Sequence, residues 1–248
     1  MSGLFDLTGK RALVTGANTG LGQGIAVGLA RAGADIVAVG RSAPDETRGL
    51  VEQAGRRFTA ISADFSTTEP IGRVVEEAGA IDILVNNAGI IRRADSLDFT
   101  EDDWDAVMDT NLKVVFFLSQ AVAKRWMAEG RGGKIINIVS MLSFQGGLRV
   151  PSYTASKSGL AGITRTLCNE WAAKGINVNG IAPGYFATNN TAALQSDETR
   201  NRQILERIPA ARWGRPEDLA GAAVFLASAA SDYMHGAIVP VDGGWLAR

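Results

Sequence analysis

Ala12-Leu13-Val14-Thr15-Gly16-Ala17-Asn18-Thr19-Gly20-Leu21-Gly22 is the stretch whose reading decides the fold. Its first four residues read as a buried strand, and the apolar pattern from Leu21 to Ala32 has the period of a helix. Between them lies a glycine-rich turn. Glycines there permit a tight reversal, close approach of backbone to a ligand, and close helix–strand packing. The helix start offers free N–H groups and a positive dipole end to an anion. The spacing is GxxxGxG, not the GxGxxG of the commoner phosphate-binding fingerprint. Glycine clusters alone carry little weight, since 29 of the 248 residues are glycine. Position directly after the first strand is what makes Gly16, Asn18, Thr19, Gly20, Leu21 and Gly22 candidate phosphate contacts. The competing reading is a structural turn without a ligand.

Outward from this stretch, short β-branched runs alternate with amphipathic ones. Strands are predicted at 12–15, 35–39, 58–62, 83–85, 134–139, 176–181 and 237–241. Helices are predicted at 21–32, 102–129, 152–173, 198–207 and 216–227, with an irregular stretch around 183–197. Strands that are apolar throughout and separated by helices indicate a parallel sheet covered on both faces. Right-handed crossovers then wind it doubly. No repeat, low-complexity segment or linker divides the chain. The expectation is α/β, a doubly wound parallel sheet (Rossmann fold), in a single domain spanning 1–248.

Composition excludes several classes. Hydrophobic residues at 46% and charged residues at 21% are an ordinary globular balance. A formal charge of −1 recommends neither nucleic acid nor an anionic membrane as partner. No signal peptide is visible at the N-terminus, and no apolar run approaches a membrane span, so a cytoplasmic location is expected. Cys168 is the only cysteine and His235 the only histidine. An internal disulfide is therefore impossible, a Cys/His metal site or a Ser-His-Asp triad is very hard to build, and no metal is expected. Cys168 falls in a helical pattern as a small buried hydrophobe, and His235 reads as a surface or packing residue. Proton transfer here needs a different carrier.

Tyr153-Thr-Ala-Ser-Lys157, following Ser140, supplies one. A tyrosine and a lysine four apart share a helix face. A phenol with a pKa near ~10 is a poor acid–base catalyst at neutral pH, and an adjacent ammonium favours the phenolate. Ser140 is then placed to hold the oxygen of a reacting alcohol or carbonyl. The trio fits proton transfer coupled to hydride transfer, although YxxxK also arises by chance on exposed helices.

Other candidates gather at strand ends, where ligands bind in such sheets. An acidic residue usually ends the second strand of an NAD-preferring fold; Gly40-Arg41 stands here instead. Gly40 leaves room for a 2′-phosphate that Arg41 can pair with, which favours NADP(H) while keeping NAD(H) possible. The competing reading makes Arg41 a solvated loop charge. Asp64, after the third strand, is placed to meet an adenine edge. Asn86-Asn87-Ala88-Gly89 brings a second glycine-bearing turn to the same edge, adding Asn87, Ala88 and Gly89 to the cofactor contacts.

Together TGANTGLG (15–22), Asp64, NNAG (86–89), Asn111, Ser140, YTASK (153–157) and Pro183-Gly184 give the chain a resemblance to the short-chain dehydrogenases/reductases over essentially its whole length. The resemblance implies Tyr153 as general acid/base, Lys157 lowering its pKa and binding the nicotinamide ribose, and Ser140 orienting the substrate oxygen. It further implies Asn111 as anchor of a water joining Lys157 to solvent, Pro183 and Gly184 beside the nicotinamide carboxamide, and a homotetramer built on the long helices and the last strand.

Longer stretches narrow the match. NAGIIRR (87–93), SMLSFQGG (140–147), APGY (182–185), IPAARWG (208–214) and VDGGWLAR (241–248) are similar to the sugar-acid dehydrogenases acting at C5, the gluconate and 2-dehydro-3-deoxy-D-gluconate 5-dehydrogenases. An acidic substrate suits Arg149, four residues before Tyr153, and Arg92-Arg93 after NNAG, because a guanidinium grips a carboxylate bidentately. Surface charge or subunit contact is the competing reading for all three. Tyr185 and Asn190 are further substrate candidates, with Asn189-Asn190-Thr191 as a polar lid. Two alternatives stand beside this one: a 3-oxoacyl-[acyl-carrier-protein] reductase, and a redox sensor that holds the dinucleotide without turnover.

Overall fold

The computed structural model describes residues 3–248. The strands are β1 (Arg11–Thr15), β2 (Asp35–Gly40), β3 (Phe58–Ser62), β4 (Ile83–Asn86), β5 (Gly133–Ile138), β6 (Ile176–Pro183) and β7 (Ile238–Val241). They form one parallel sheet in the order β3-β2-β1-β4-β5-β6-β7. The helices are α1 (Gly20–Arg31), α2 (Asp45–Gln53), α3 (Ile71–Ala78), α4 (Glu101–Met108), α5 (Val114–Ala128), α6 (Pro151–Trp171), α7 (Ala192–Ser196), α8 (Glu198–Arg207) and α9 (Ala220–Ala227).

The period-two alternation of strands divides the core into two layers. Ala12, Val14, Ile36, Ala38, Ile83 and Val85 pack with Ile25 and Leu29 of α1, Val51 of α2 and Leu226 of α9. Their neighbours Leu13, Val37, Val39 and Leu84 point the other way, against Val74 of α3, Leu118 and Trp126 of α5 and Leu167 of α6. Both faces of every central strand are thus buried, which is why these strands are apolar without interruption. The order reverses between β1 and β4. Their carboxyl ends lie side by side, with Val14 in register with Val85, and open the crevice that holds the site.

Three local features depart from the pattern read off the sequence. Helices α2 and α3 are not foreseen by it. In α2 only Thr47 and Val51 are buried, too few apolar positions to betray a stripe. The predicted helix over 102–129 is interrupted by a π-helical turn at Asp109–Lys113. The stretch read as irregular after β6 is partly ordered into a 3₁₀ turn at Asn189–Thr191 and the short α7, ahead of the predicted α8.

Candidate active site

The crevice begins at the glycine turn. Gly16 takes φ +65°, a left-handed conformation suited to glycine. At Gly22 a β-carbon would collide with the Gly16 carbonyl oxygen and the Asn87 amide. Thr15 Oγ1 accepts from the backbone N–H of Asn87 (3.0 Å) and of Ala88 (2.9 Å). Asn87 Nδ2 donates back to the carbonyls of Thr15 (2.9 Å) and Gly16 (3.2 Å). The turns after β1 and β4 are therefore locked to each other. The buried Thr47 hydroxyl donates to the Ala17 carbonyl at 2.7 Å, so α2 braces the first turn from outside. Thr19 caps α1 with extended backbone and no side-chain hydrogen bond, and no acidic residue lies in the first helical turn. The N-terminal amides of α1 are left for an anion, and the donor set fits a dinucleotide pyrophosphate.

From this turn a cleft of about 850 Å³ runs along the carboxyl edge of the sheet. Its lining includes Asn18, Thr19, Gly20, Leu21, Arg41, Asp64, Ala88 and Gly89 at one end. Ser140, Tyr153, Lys157, Pro183, Gly184, Tyr185 and Asn190 line the other. Arg41 also lines an adjoining recess of about 310 Å³ at the end of β2, together with Ser42 and Arg48. Asp64 is exposed there, its Oδ1 accepting from the Ser66 N–H at 3.0 Å.

Ser140 follows β5, and its Oγ accepts from the Leu142 N–H at 3.1 Å, which fixes the hydroxyl at the cleft wall. Tyr153 and Lys157 project from the first turns of α6, which starts with Pro151 at its first position, where the missing N–H costs nothing. Lys157 is 4% exposed, and its Nζ donates to the Ile138 carbonyl at 2.7 Å. Burial lowers this ammonium to about 8. Burial raises the Tyr153 phenol above its ordinary value, against the lowering influence of the Ser140 hydroxyl and the Arg93 charge. Lys157 Nζ stands 5.7 Å from the centre of the tyrosine ring. The phenol therefore stands raised, not lowered as expected from Lys157, with burial as the first cause and Ser140 and Arg93 the groups that lower it.

Asn111 lies in the π-helical turn and is fully buried. Its Oδ1 accepts from the Ile90 N–H at 2.8 Å, and its Nδ2 donates to the Ile90 carbonyl at 2.9 Å and to Ser156 Oγ at 3.4 Å. The side chain clamps the loop after NNAG onto the base of α6. Across Gly89 it faces Lys157, since a β-carbon there would lie 3.1 Å from Asn111 Oδ1 and 3.8 Å from Lys157 Nζ.

The arginines sort differently from expectation. Arg149 is not part of the cleft lining; it adopts φ 62° and its Nε pairs with Asp95 at 3.2 Å. That ion pair, with both side chains more than 60% exposed, holds the charge at the surface. Arg92 lines the cleft but is neutralised by Asp103, 3.0 Å from its Nε. Arg93 lines the cleft and donates to the Asn190 carbonyl at 3.2 Å. Arg200, Arg207 and Trp245 also line this end, and nothing in the motif reading pointed to them. The available signal was the face of α8: Arg200, Ile204 and Arg207 recur at helical spacing around that helix's one buried side chain. His235 is half-buried and packs beside Asn177, and Cys168 packs against the second core layer. Among the described residues no cluster of acidic, histidine or cysteine side chains could hold a metal ion, and no helix is long and apolar enough to cross a membrane.

A doubly wound sheet with a glycine turn and free helix amides at its switch point, and a serine, a tyrosine and a buried lysine farther along one cleft, is the arrangement of a dinucleotide-dependent oxidoreductase. The comparisons agree. The family profile described as Enoyl-(Acyl carrier protein) reductase matches residues 16–246. The 2-dehydro-3-deoxy-D-gluconate 5-dehydrogenase of Escherichia coli (strain K12) is 62% identical over 98% of both chains. A crystal structure from Agrobacterium tumefaciens, provisionally named a 2-deoxy-d-gluconate 3-dehydrogenase and carrying bound NADP, is also 62% identical. It superposes with a TM-score of 0.94 over 99% of this chain and 100% of that one. A gluconate 5-dehydrogenase from Burkholderia cenocepacia, in complex with NADP and tartrate, is 42% identical with a TM-score of 0.93 over 100% of this chain and 99% of that one. The chain belongs to the short-chain dehydrogenase/reductase family.

Proposed function

We propose that this protein is an NADP(H)-dependent dehydrogenase that interconverts a hydroxyl and a ketone at C5 of a sugar acid of the gluconate or 2-dehydro-3-deoxy-gluconate type. The observation that carries the reading is the grouping of Ser140, Tyr153 and Lys157 on one cleft wall, beyond a turn built for a pyrophosphate. The names of the relatives support the substrate class, and NADP in two related structures supports the cofactor. When bound, the nicotinamide gives or takes the hydride. The turn residues 16–22 would hold its pyrophosphate, and Arg41, in the recess at the end of β2, would meet the 2′-phosphate. Asp64, Asn87, Ala88, Gly89, Pro183 and Gly184 would line its path along the sheet edge.

In this reading Tyr153 moves the proton at the reacting oxygen and Ser140 orients that oxygen. Lys157, lowered to about 8 while the phenol is raised, is the stronger acid of the pair. A proton given up by the phenol is therefore readily replaced from the lysine side. Lys157 would also hold the nicotinamide ribose, and Asn111 would anchor a water relay from Lys157 toward solvent. We also read the chain as one domain, cytoplasmic, and a homotetramer. Trp104 on α4 and Phe117 on α5, each about 40% exposed, suit a symmetric contact.

The 3-oxoacyl-[acyl-carrier-protein] reductase reading draws on the shared cofactor and catalytic motifs and on a solved reductase of that name, which is 27% identical with a TM-score of 0.91, against 62% for the sugar-acid dehydrogenase relative. The test follows reduced-nicotinamide absorbance with gluconate, 5-ketogluconate, 2-keto-3-deoxygluconate derivatives and an acetoacetyl thioester, each with both cofactors, and identifies the carbon oxidised. Sugar-acid turnover at C5 with NADP(H) preferred is expected. Turnover of the thioester alone, or of nothing, would overturn the reading in favour of the reductase or the sensor.

A further inference from the structure

The substrate end of the cleft holds more positive charge than proton transfer requires. Arg93 comes from the loop after β4, and Arg200 and Arg207 come from α8; all three line the cleft. Their hydrogen-bond acceptors are neutral. Arg93 donates to the Asn190 carbonyl at 3.2 Å, Arg200 to Gln203 Oε1 at 3.0 Å, and Arg207 to Gln145 Oε1 at 3.3 Å. Among the described residues none of the three forms an ion pair, whereas Arg92 and Arg149 are matched by Asp103 and Asp95. Arg207 lies 4.0 Å over the ring of Trp245, which fixes its plane. Trp245, 5% exposed, has an indole N–H without a partner among the described residues. It packs edge-on against Tyr185 at 4.7 Å.

The arginines lie around Tyr185, whose ring packs on the Trp245 that Arg207 covers. All three bear on the Tyr185 phenol, while only Arg93 among them also bears on the Tyr153 phenol. Like charges gathered without a counter-charge repel, and an anion placed among them relieves that repulsion. A six-carbon acid reacting at C5 carries its carboxylate four bonds away, roughly 5 Å when extended. Tyr153 and these arginines line one cleft, so such a molecule with its reacting oxygen at Tyr153 would bring its anion among them. Resting on the sugar-acid reading above, we propose that Arg93, Arg200 and Arg207, with Trp245 beneath Arg207, seat the substrate carboxylate. They thereby select acids over neutral sugars.

The test measures steady-state kinetics of Arg200→Gln and Arg207→Gln with NADP(H), with gluconate and with its neutral amide, plus gluconate binding to the enzyme–NADP complex by tryptophan fluorescence. Arg149→Gln serves as the surface control. The proposal expects each cleft variant to raise KM and Kd for gluconate by about 10- to 100-fold, the usual worth of a charge-assisted pair. It expects kcat to change by less than about 3-fold, and KM for the amide and Kd for NADPH to stay unchanged. Arg207→Lys, which keeps the charge but not the planar stack, should recover part of the loss. Unchanged gluconate values in the glutamine variants, or equal losses for acid and amide, overturn the arginine seat and leave the reaction assignment standing. A wild-type protein that binds gluconate through these arginines yet oxidises no sugar acid overturns the reaction assignment and leaves the seat.

Discussion

Burial acts on Tyr153 and Lys157 in opposite directions, and that opposition has a measurable signature. In the unfolded chain Lys157 keeps its proton up to about 10.5, but in the folded protein only up to about 8. Between these values the unfolded state binds more protons, so stability from this group rises with pH, and below 8 its burial penalty is fully present. The window is read up to about pH 10, where tyrosines begin to ionise and the raised Tyr153 phenol adds an opposing slope. Denaturant unfolding is expected to show a rise across pH 8–10 in the wild type that Lys157→Met lacks, of up to about 3 kcal/mol. Equal slopes in both proteins would mean that Lys157 is not desolvated as described. Spacing alone left YxxxK after Ser140 open to chance; the glycine turn, Asn111 and the near absence of histidine and cysteine singled these residues out, and the structure brings them to one cleft. The roles of the arginines were not legible in the sequence. Arg149 is the nearest to Tyr153 in sequence, yet its left-handed backbone and the distant Asp95 keep its charge at the surface, and neither is visible along the chain.

At the scale of elements, the phosphate turn depends on a helix that the sequence hides. Nothing in Asp45–Gln53 announces a role, since the helix is largely polar and its contribution is one hydroxyl, that of Thr47 on the Ala17 carbonyl. Thr47→Val keeps the shape and removes the donor, leaving that carbonyl unsatisfied. It should raise Kd for NADPH about 10-fold in a fluorescence titration, with the fold unchanged by circular dichroism. An unchanged Kd would show that the turn holds itself. Gly22→Ala should do more and abolish measurable NADPH binding, because no rearrangement of a side chain can clear a collision with the Gly16 carbonyl. The central strands and α8 were legible because apolar runs and helical spacing follow local rules; the cap of α8, Asp197 Oδ1 accepting from the Arg200 N–H at 3.0 Å, was not read from the sequence. The π-helical turn was not legible, and the hydrogen bonds of its Asn111 to Ile90 join residues 21 apart, which no local pattern reports.

Taken whole, the molecule is nearly neutral yet uneven. A net charge of −1 conceals a cleft with a phosphate turn and Arg41 at one end and three uncompensated arginines at the other. Such a field draws in anions and is screened by salt. Raising ionic strength should therefore lower kcat/KM for gluconate several-fold while leaving the neutral amide nearly flat. Parallel salt curves for the two would argue against a charged substrate end. The doubly wound order was legible from the alternation of strands and helices. The arrival of α8 at the cleft that Ser140 and Tyr153 line was not, since it depends on how the segment after β6 folds back. The most direct test of the central claim, that Tyr153 carries the proton for a nicotinamide-linked hydroxyl–ketone exchange, compares wild type with Tyr153→Phe. The assay follows NADPH oxidation by 5-ketogluconate, with NADPH binding measured alongside. A fall in kcat of about 10²- to 10⁴-fold with NADPH affinity unchanged is expected; a phenylalanine variant that retains full turnover would exclude Tyr153 as the proton carrier.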